Sequence, residues 1–112
     1  MQRVLRIDGL PQEAINAAAE FYRCWLAQVR TILTEGTSSL VLVMPFAPHD
    51  HRDWRRGLAR DLAREAAPCR VNVIAGGNDA AIAATLEYLA LAPGVTGQLL
   101  LTDGQGAENP AQ

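Results

Sequence analysis

The segment Leu40-Val41-Leu42-Val43-Met44 does most to limit what this chain can fold into. A strand with one face in water alternates apolar and polar residues, whereas an unbroken apolar run bounded by Pro45 and Pro48 fits a strand covered on both faces. Such a strand needs partners in a sheet and helices above and below it. The chain supplies both. Arg70-Val71-Asn72-Val73-Ile74-Ala75 and Gln98-Leu99-Leu100-Leu101-Thr102 read as further strands, and Arg3–Ile7, RVLRI, as a shorter alternating one.

Helical periodicity fills the gaps. After the turn Asp8-Gly9-Leu10-Pro11, residues Gln12 to Thr34 place Ile15, Ala18, Tyr22, Trp25, Val29 and Ile32 at spacings of three and four. A second apolar line, Ala14, Ala17, Phe21 and Cys24, runs beside the first. A helix this long spans about 35 Å at ~1.5 Å per residue. Two lines fit two partners, the chain's own sheet and a second subunit; a single broad core-facing stripe is the plainer alternative. Glu35-Gly36-Thr37-Ser38-Ser39 breaks the pattern. A second helix, Asp50 to Ala67, stops before Pro68 and gathers Trp54, Leu58, Leu62 and Ala66 on one face, with arginines and acids on the rest. Gly76-Gly77-Asn78-Asp79 makes a turn and caps a third helix, Ala80 to Ala92, which Pro93-Gly94 ends. The β-α-β-α-β-α-β order predicts a parallel sheet of about four strands with three helices on its faces, joined by right-handed crossovers.

At 112 residues the chain suits one domain, expected over residues 1–103, with Gly104–Gln112 as a flexible C-terminal tail. All ten basic residues are Arg. Without lysine there is no phosphate-loop lysine, Schiff base or lysine general base. A genome rich in Ala and Arg accounts for the bias simply. No apolar stretch is long enough to span a bilayer. The opening MQRVLRIDGL is interrupted by Arg6 and Asp8 and makes a poor secretory signal. Cys24 and Cys69 fall in no metal or redox motif and are expected as reduced thiols in the cytoplasm. A net charge of −2 argues against a generic nucleic-acid binder.

Two linked stretches carry a resemblance. GLARDLAREAAPCRVNVIAGG, Gly57 to Gly77, resembles the second half of short-chain dehydrogenases/reductases, where a helix of the type LTRSLARELAP leads into a strand of the type IRVNAIAPG. VTGQLLLTDG, Val95 to Gly104, is similar to the family's last strand, and LEYLA, Leu86 to Ala90, to the helix before it. Phe21 to Val43 fits the family's long fourth helix and fifth strand more loosely. The resemblance implies a truncated Rossmann-like three-layer fold that begins at the family's fourth strand. On that reading the first three strands are missing, and with them the glycine-rich dinucleotide loop and the ribose-binding acid. No GxxxGxG occurs in the chain.

The catalytic pattern departs as well. The family uses a Ser, and a Tyr separated by three residues from a following Lys; counting back from Leu58 puts Pro48 at the Tyr position and Arg52 at the Lys position. Proline moves no side-chain proton, and arginine does not shift its pKa as a catalytic lysine does. The Ser position falls near Met44 or Pro45. Neither Tyr22 nor Tyr88 precedes a lysine, and the family's helix asparagine aligns nearest Ala17, not Asn16. No catalytic residue, cofactor or metal is therefore expected.

What the resemblance retains is the family's subunit-contact helices, here Gln12–Thr34 and Asp50–Ala67. The expectation is a non-catalytic association module that pairs with itself or with a full-length reductase as a regulatory or scaffold subunit, using Ile15, Ala18, Tyr22, Trp25, Val29, Trp54, Leu58 and Leu62. The alternative is a small enzyme or a metal- or ligand-binding protein. It would use the cluster Pro48-His49-Asp50-His51-Arg52-Asp53, or an anion-cradling cleft at Gly76-Gly77. Helix capping by Asp50 or Asp53 explains the acids of that cluster without a metal. Arg52, Arg56, Arg60 and Arg64 form a four-residue-spaced stripe, diluted by Asp53, Asp61 and Glu65, which reads as a solvated or subunit-facing helix face. Arg3–Ile7 would present a bare sheet edge, kept safe by shortness, by Arg3 and Arg6, or by a partner.

Overall fold

A computed structural model describes residues 1–102; the expected tail, residues 104–112, lies outside them. The element order is β1 (Gln2–Arg6), α1 (Ala14–Cys24), α2 (Leu26–Leu33), β2 (Ser39–Pro45), a short 3₁₀ turn (His49–His51), α3 (Arg52–Ala66), β3 (Arg70–Gly76), α4 (Asp79–Ala90) and β4 (Leu99–Thr102). All strand pairs are parallel and the spatial order is β1-β2-β3-β4.

The central strands show why the apolar runs are unbroken. Alternate residues of a strand point to opposite faces. Leu40, Leu42 and Met44 of β2 and Val71 and Val73 of β3 face a core with Phe21, Val29, Ile32, Leu58 and Leu62. Val41, Val43 and Ile74 face a second core with Ile82 and Leu89 of α4. Three layers result: α1, α2 and α3 on one face, the sheet, and α4 on the other. Phe21 is completely buried, which stabilises the fold by up to about 3 kcal/mol.

The helix read as Gln12–Thr34 is two helices meeting at Trp25, where φ is −111°. The hydrogen-bond ladder still crosses the junction, with Trp25 N–H donating to Phe21 O at 2.8 Å and Val29 N–H to Trp25 O at 3.0 Å. The junction interrupts the regular helix at that one residue, and the helix count rises from three to four. It also selects the buried line: Ala17, Phe21, Val29 and Ile32 go inside, while Ile15 and Tyr22 stay exposed.

Uniform right-handed crossovers are not what forms. With four parallel strands in sequential order, helices on one face give crossovers of one hand, and a helix on the opposite face gives the other. The first two crossovers share a face and the third does not, so its hand is opposite to theirs. The reason is space: α3 already lies against β3 and β4 on the first face. Two polar clamps hold this third unit. Asn72, buried within β3, donates through Nδ2 to Val95 O and accepts from Gln98 N–H, both at 3.0 Å. Arg70 Nη1 donates to Leu89 O and Ala92 O at the end of α4, where a cation also suits the helix dipole.

Candidate functional site

The change of face creates a crevice. The loop leaving β2 turns toward α3 on one face, and the loop leaving β3 turns toward α4 on the other. Open α/β sheets bind ligands outside the carboxyl ends of strands at such a divergence. Here the crevice is bordered by Pro45, Phe46 and the 3₁₀ turn on one side and by Gly76, Gly77 and Asn78 on the other. Phe46 is 64% exposed at its rim.

The structure splits the His–Asp cluster. His49, Asp50 and Asp53 are exposed, whereas His51 is buried. His51 Nδ1 accepts from Trp54 Nε1 at 3.2 Å, and Nε2 lies 2.8 Å from Gln12 O. Indole N–H only donates, so Nδ1 is the acceptor and Nε2 carries the proton given to Gln12 O. Both ring nitrogens are engaged in pinning α3 to the β1–α1 loop. Among the described residues, no three His, Cys, Asp or Glu side chains come together as a metal site would require. Neither Asp50 nor Asp53 caps α3; its N-cap is His51, with no side-chain cap bond.

The Gly76-Gly77 cleft also serves the fold. A Cβ on Gly76 would sit 2.8 Å from Ile82 Cγ1 and 3.3 Å from Thr102 Oγ1, so this glycine is needed for close packing of α4 on the sheet. Gly77 N–H donates to Thr102 O at 2.8 Å, and the expected anion cradle loses that donor. Asn78 caps α4 by accepting from Ala81 N–H at 2.7 Å. The Gly77 amide and the Asn78 side-chain oxygen are thus both engaged within the fold.

Sequence reasoning missed Arg55. Its side chain is buried, its Nη1 donates to Pro45 O at 2.9 Å, and its Nε has no partner. The guanidinium lies 5.6 Å from the Trp54 ring centre, and burial lowers its pKa. In sequence it is one arginine among several on α3; only its place under the end of β2 sets it apart.

Of the expected interface residues, Val29, Leu58 and Leu62 are buried in the chain's own core, and their interface role is corrected to a core role. Trp25 and Trp54 are partly buried against the same core, with the Trp54 and Phe21 ring centres 6.0 Å apart. Ala18 is half-buried, while Ile15 is 80% and Tyr22 44% exposed. Tyr22 stacks edge-on against Phe21, and partial burial with nearby Asp61 raises its pKa, keeping the phenol neutral. The two thiols are also held neutral: a hydrogen bond to Glu20 raises Cys24, and burial raises Cys69. Pro48 is exposed just before the 3₁₀ turn, and Arg52 opens α3.

The doubly covered parallel sheet, the crevice at the β2 and β3 exits and the Asn72 clamp define a Rossmann-like α/β domain. The family model for short chain dehydrogenase-like proteins matches residues 5–102, and the chain belongs to that family. No match to a curated protein or to a solved structure accompanies it.

Proposed function

We propose that this chain is a non-catalytic member of the short-chain dehydrogenase-like family that works by association, pairing with a second copy through the exposed face of α1 and the neighbouring surface of α3. The observation that carries the reading is the stripe Ile15, Ala18 and Tyr22, which the chain's own sheet leaves uncovered. Its spacing of three and four residues suits helix-to-helix packing across a two-fold axis. Two further features support the non-catalytic part: Pro48 and Arg52 at the positions the resemblance assigns to the Tyr and Lys, and the internal pairing of Gly77 N–H, Asn78 Oδ1 and both His51 ring nitrogens beside the crevice. The heteromeric form, with a full-length reductase as partner, would use the same face.

Sedimentation velocity from about one to one hundred micromolar tests the reading. The native chain is expected to dimerise across this range, and Ile15→Glu with Tyr22→Glu to give a folded monomer. A native chain monomeric throughout, or a dimer indifferent to both substitutions, sinks the α1 interface. Reductase turnover with a nicotinamide nucleotide by the chain alone sinks the non-catalytic part.

A further inference from the structure

The two edges of the sheet are guarded differently. β1 carries Arg3, paired with Glu35 at 2.8 Å, and exposed Arg6; charge on an edge discourages strand addition. β4, the opposite edge, is Leu-Leu-Leu-Thr, and no charge interrupts it. A groove of about 540 Å³ runs along it, with Leu99 to Thr102 as floor, Arg56 of α3 on one bank and Thr85 and Tyr88 of α4 on the other. Leu99 packs toward the core under α3 and Leu100 toward the core under α4, so the two banks meet alternate residues of the strand.

Parallel pairing with β3 uses only half of the β4 backbone. Val73 N–H donates to Gln98 O at 2.9 Å and Gly77 N–H to Thr102 O at 2.8 Å, while Val73 and Ala75 stand opposite Leu99 and Leu101. Successive residues of a strand turn their N–H and C=O to opposite sides, so Gln98, Leu100 and Thr102 bond toward β3. Leu99 and Leu101 present theirs outward, where no partner meets them among the described residues. The banks add side-chain chemistry. Arg56 and Arg60 of α3 are exposed and have no ion pair among the described residues. A Cβ on Gly97, just before β4, would lie 3.8 Å from Arg60 Cα, so this basic bank runs close beside the strand. On α4, Thr85 Oγ1 already donates to Ala81 O at 2.9 Å, which leaves the exposed Tyr88 ring as the main contact surface.

We infer that the β4 edge binds an extended acidic peptide of another protein by strand addition. Main-chain bonds to the outward N–H and C=O of Leu99 and Leu101 give affinity, and the side chains that alternate along the peptide give selectivity. A peptide residue opposite Leu99 or Leu101 shares their face and points to the α3 bank, where an acidic side chain pairs with Arg56. The residue between, opposite Leu100, points to the α4 bank, where an apolar side chain packs on Tyr88. The floor from Leu99 to Thr102 is about 10 Å long at ~3.3 Å per residue, so a run of acid, apolar residue and acid engages it. A basic segment meets Arg56 and Arg60 as like charges and is rejected. The surface is separate from the α1 stripe, so a chain paired with a second copy there keeps this edge for a different partner.

Titration of the isotope-labelled full chain with a short capped peptide that alternates glutamate and valine tests this, read by amide shifts and hydrogen exchange in NMR. The Leu99 and Leu101 amides are expected to shift below about 1 mM peptide and to exchange about tenfold more slowly when it is bound, with the Val73 amide unchanged as the sign of an intact sheet. The matching lysine peptide should bind about fivefold or more weakly. Arg56→Glu should abolish that preference and leave the fold intact, because Arg56 is exposed. Leu101→Pro removes an outward N–H that β3 does not use and should weaken binding of the glutamate peptide. No shift at Leu99 and Leu101 up to about 1 mM overturns the inference, as does an equal response to the two peptides. Leu101 protection present without peptide and unaltered by it gives the edge to the chain itself, or to a second copy if it grows with protein concentration; either result overturns the inference. None of these readings involves Ile15 or Tyr22, so the α1 interface is judged separately.

Discussion

Asn72 is the side chain on which the third structural unit depends most. It is 3% exposed, and its amide spans a loop that must reverse direction before β4 begins. Nδ2 serves Val95 O, and Oδ1 serves Gln98 N–H, each at 3.0 Å. Asn72→Leu keeps roughly the same volume and removes both bonds. Each lost bond costs about 1 kcal/mol, and up to ~3 kcal/mol where the deserted group cannot reach water. The two groups lie in a part-buried loop, so the loss should fall at about 2–4 kcal/mol. For a domain near 100 residues that lowers the melting temperature by at least ~8 °C. Asn72→Asp keeps the acceptor for Gln98 but turns a carboxylate oxygen toward Val95 O, so it should recover only part of the loss, more at acid pH. Thermal and urea unfolding followed by circular dichroism gives the stability, and the Gln98 amide exchange rate reports the local break. A loss below about 0.5 kcal/mol for Asn72→Leu would falsify the clamp, because partial rehydration alone could not hide two bonds.

Gly76→Ala should cost about 1–3 kcal/mol by pushing Ile82 off its seat on the sheet, and Gly76→Ala with Ile82→Val should recover part of it, as read by urea midpoints. His51→Ala removes the link from Trp54 through the ring to Gln12 O and should cost about 2–3 kcal/mol, visible as a red shift of Trp54 fluorescence. Two hydrogen bonds from Arg30 lower the pKa of Glu65, so this pair stabilises the fold above the ordinary glutamate range and loses that effect as pH falls through the lowered folded-state value. The stability difference between the native chain and Glu65→Gln should therefore shrink on acidification below about pH 4, and a difference that instead grows there would contradict the pairing.

The sheet was legible because its strands are buried on both faces. Leu40–Met44 and Arg70–Ala75 have no other comfortable environment, and their limits fall within a residue of β2 and β3. The break at Trp25 was not legible, because Tyr22, Trp25 and Val29 keep helical spacing straight through it. The same periodicity could not decide which of two apolar lines goes inside. Phe21 settled that by lying against Trp54. The opposite hand of the third crossover was hidden for a related reason: it depends on α3 occupying one face over β3 and β4, a fact about layers and not about any local run. Arg55 was invisible because burial, not residue type, sets it apart from Arg52, Arg56 and Arg60.

At the crevice between the β2 and β3 exits, several polar groups are engaged within the fold. A working site in such a crevice keeps donors and acceptors free for the ligand. Here Gly77 N–H is given to Thr102 O, Asn78 Oδ1 to the first turn of α4, both His51 nitrogens to Gln12 and Trp54, and Arg55 Nη1 to Pro45 O. Together these bonds tie the loop after β2 to α3 and the loop after β3 to β4. Rigid exits hold α3 firmly against α1, with Trp54 packed on Phe21 and Phe21 on Tyr22. The crevice and the α1 stripe are thus mechanically connected through three aromatic rings. Under the proposed pairing through α1, loosening the crevice by His51→Ala should weaken self-association as well as stability, although His51 is too buried to touch a partner. Equal dimer constants for the native chain and His51→Ala, measured where both are fully folded, would refute that connection.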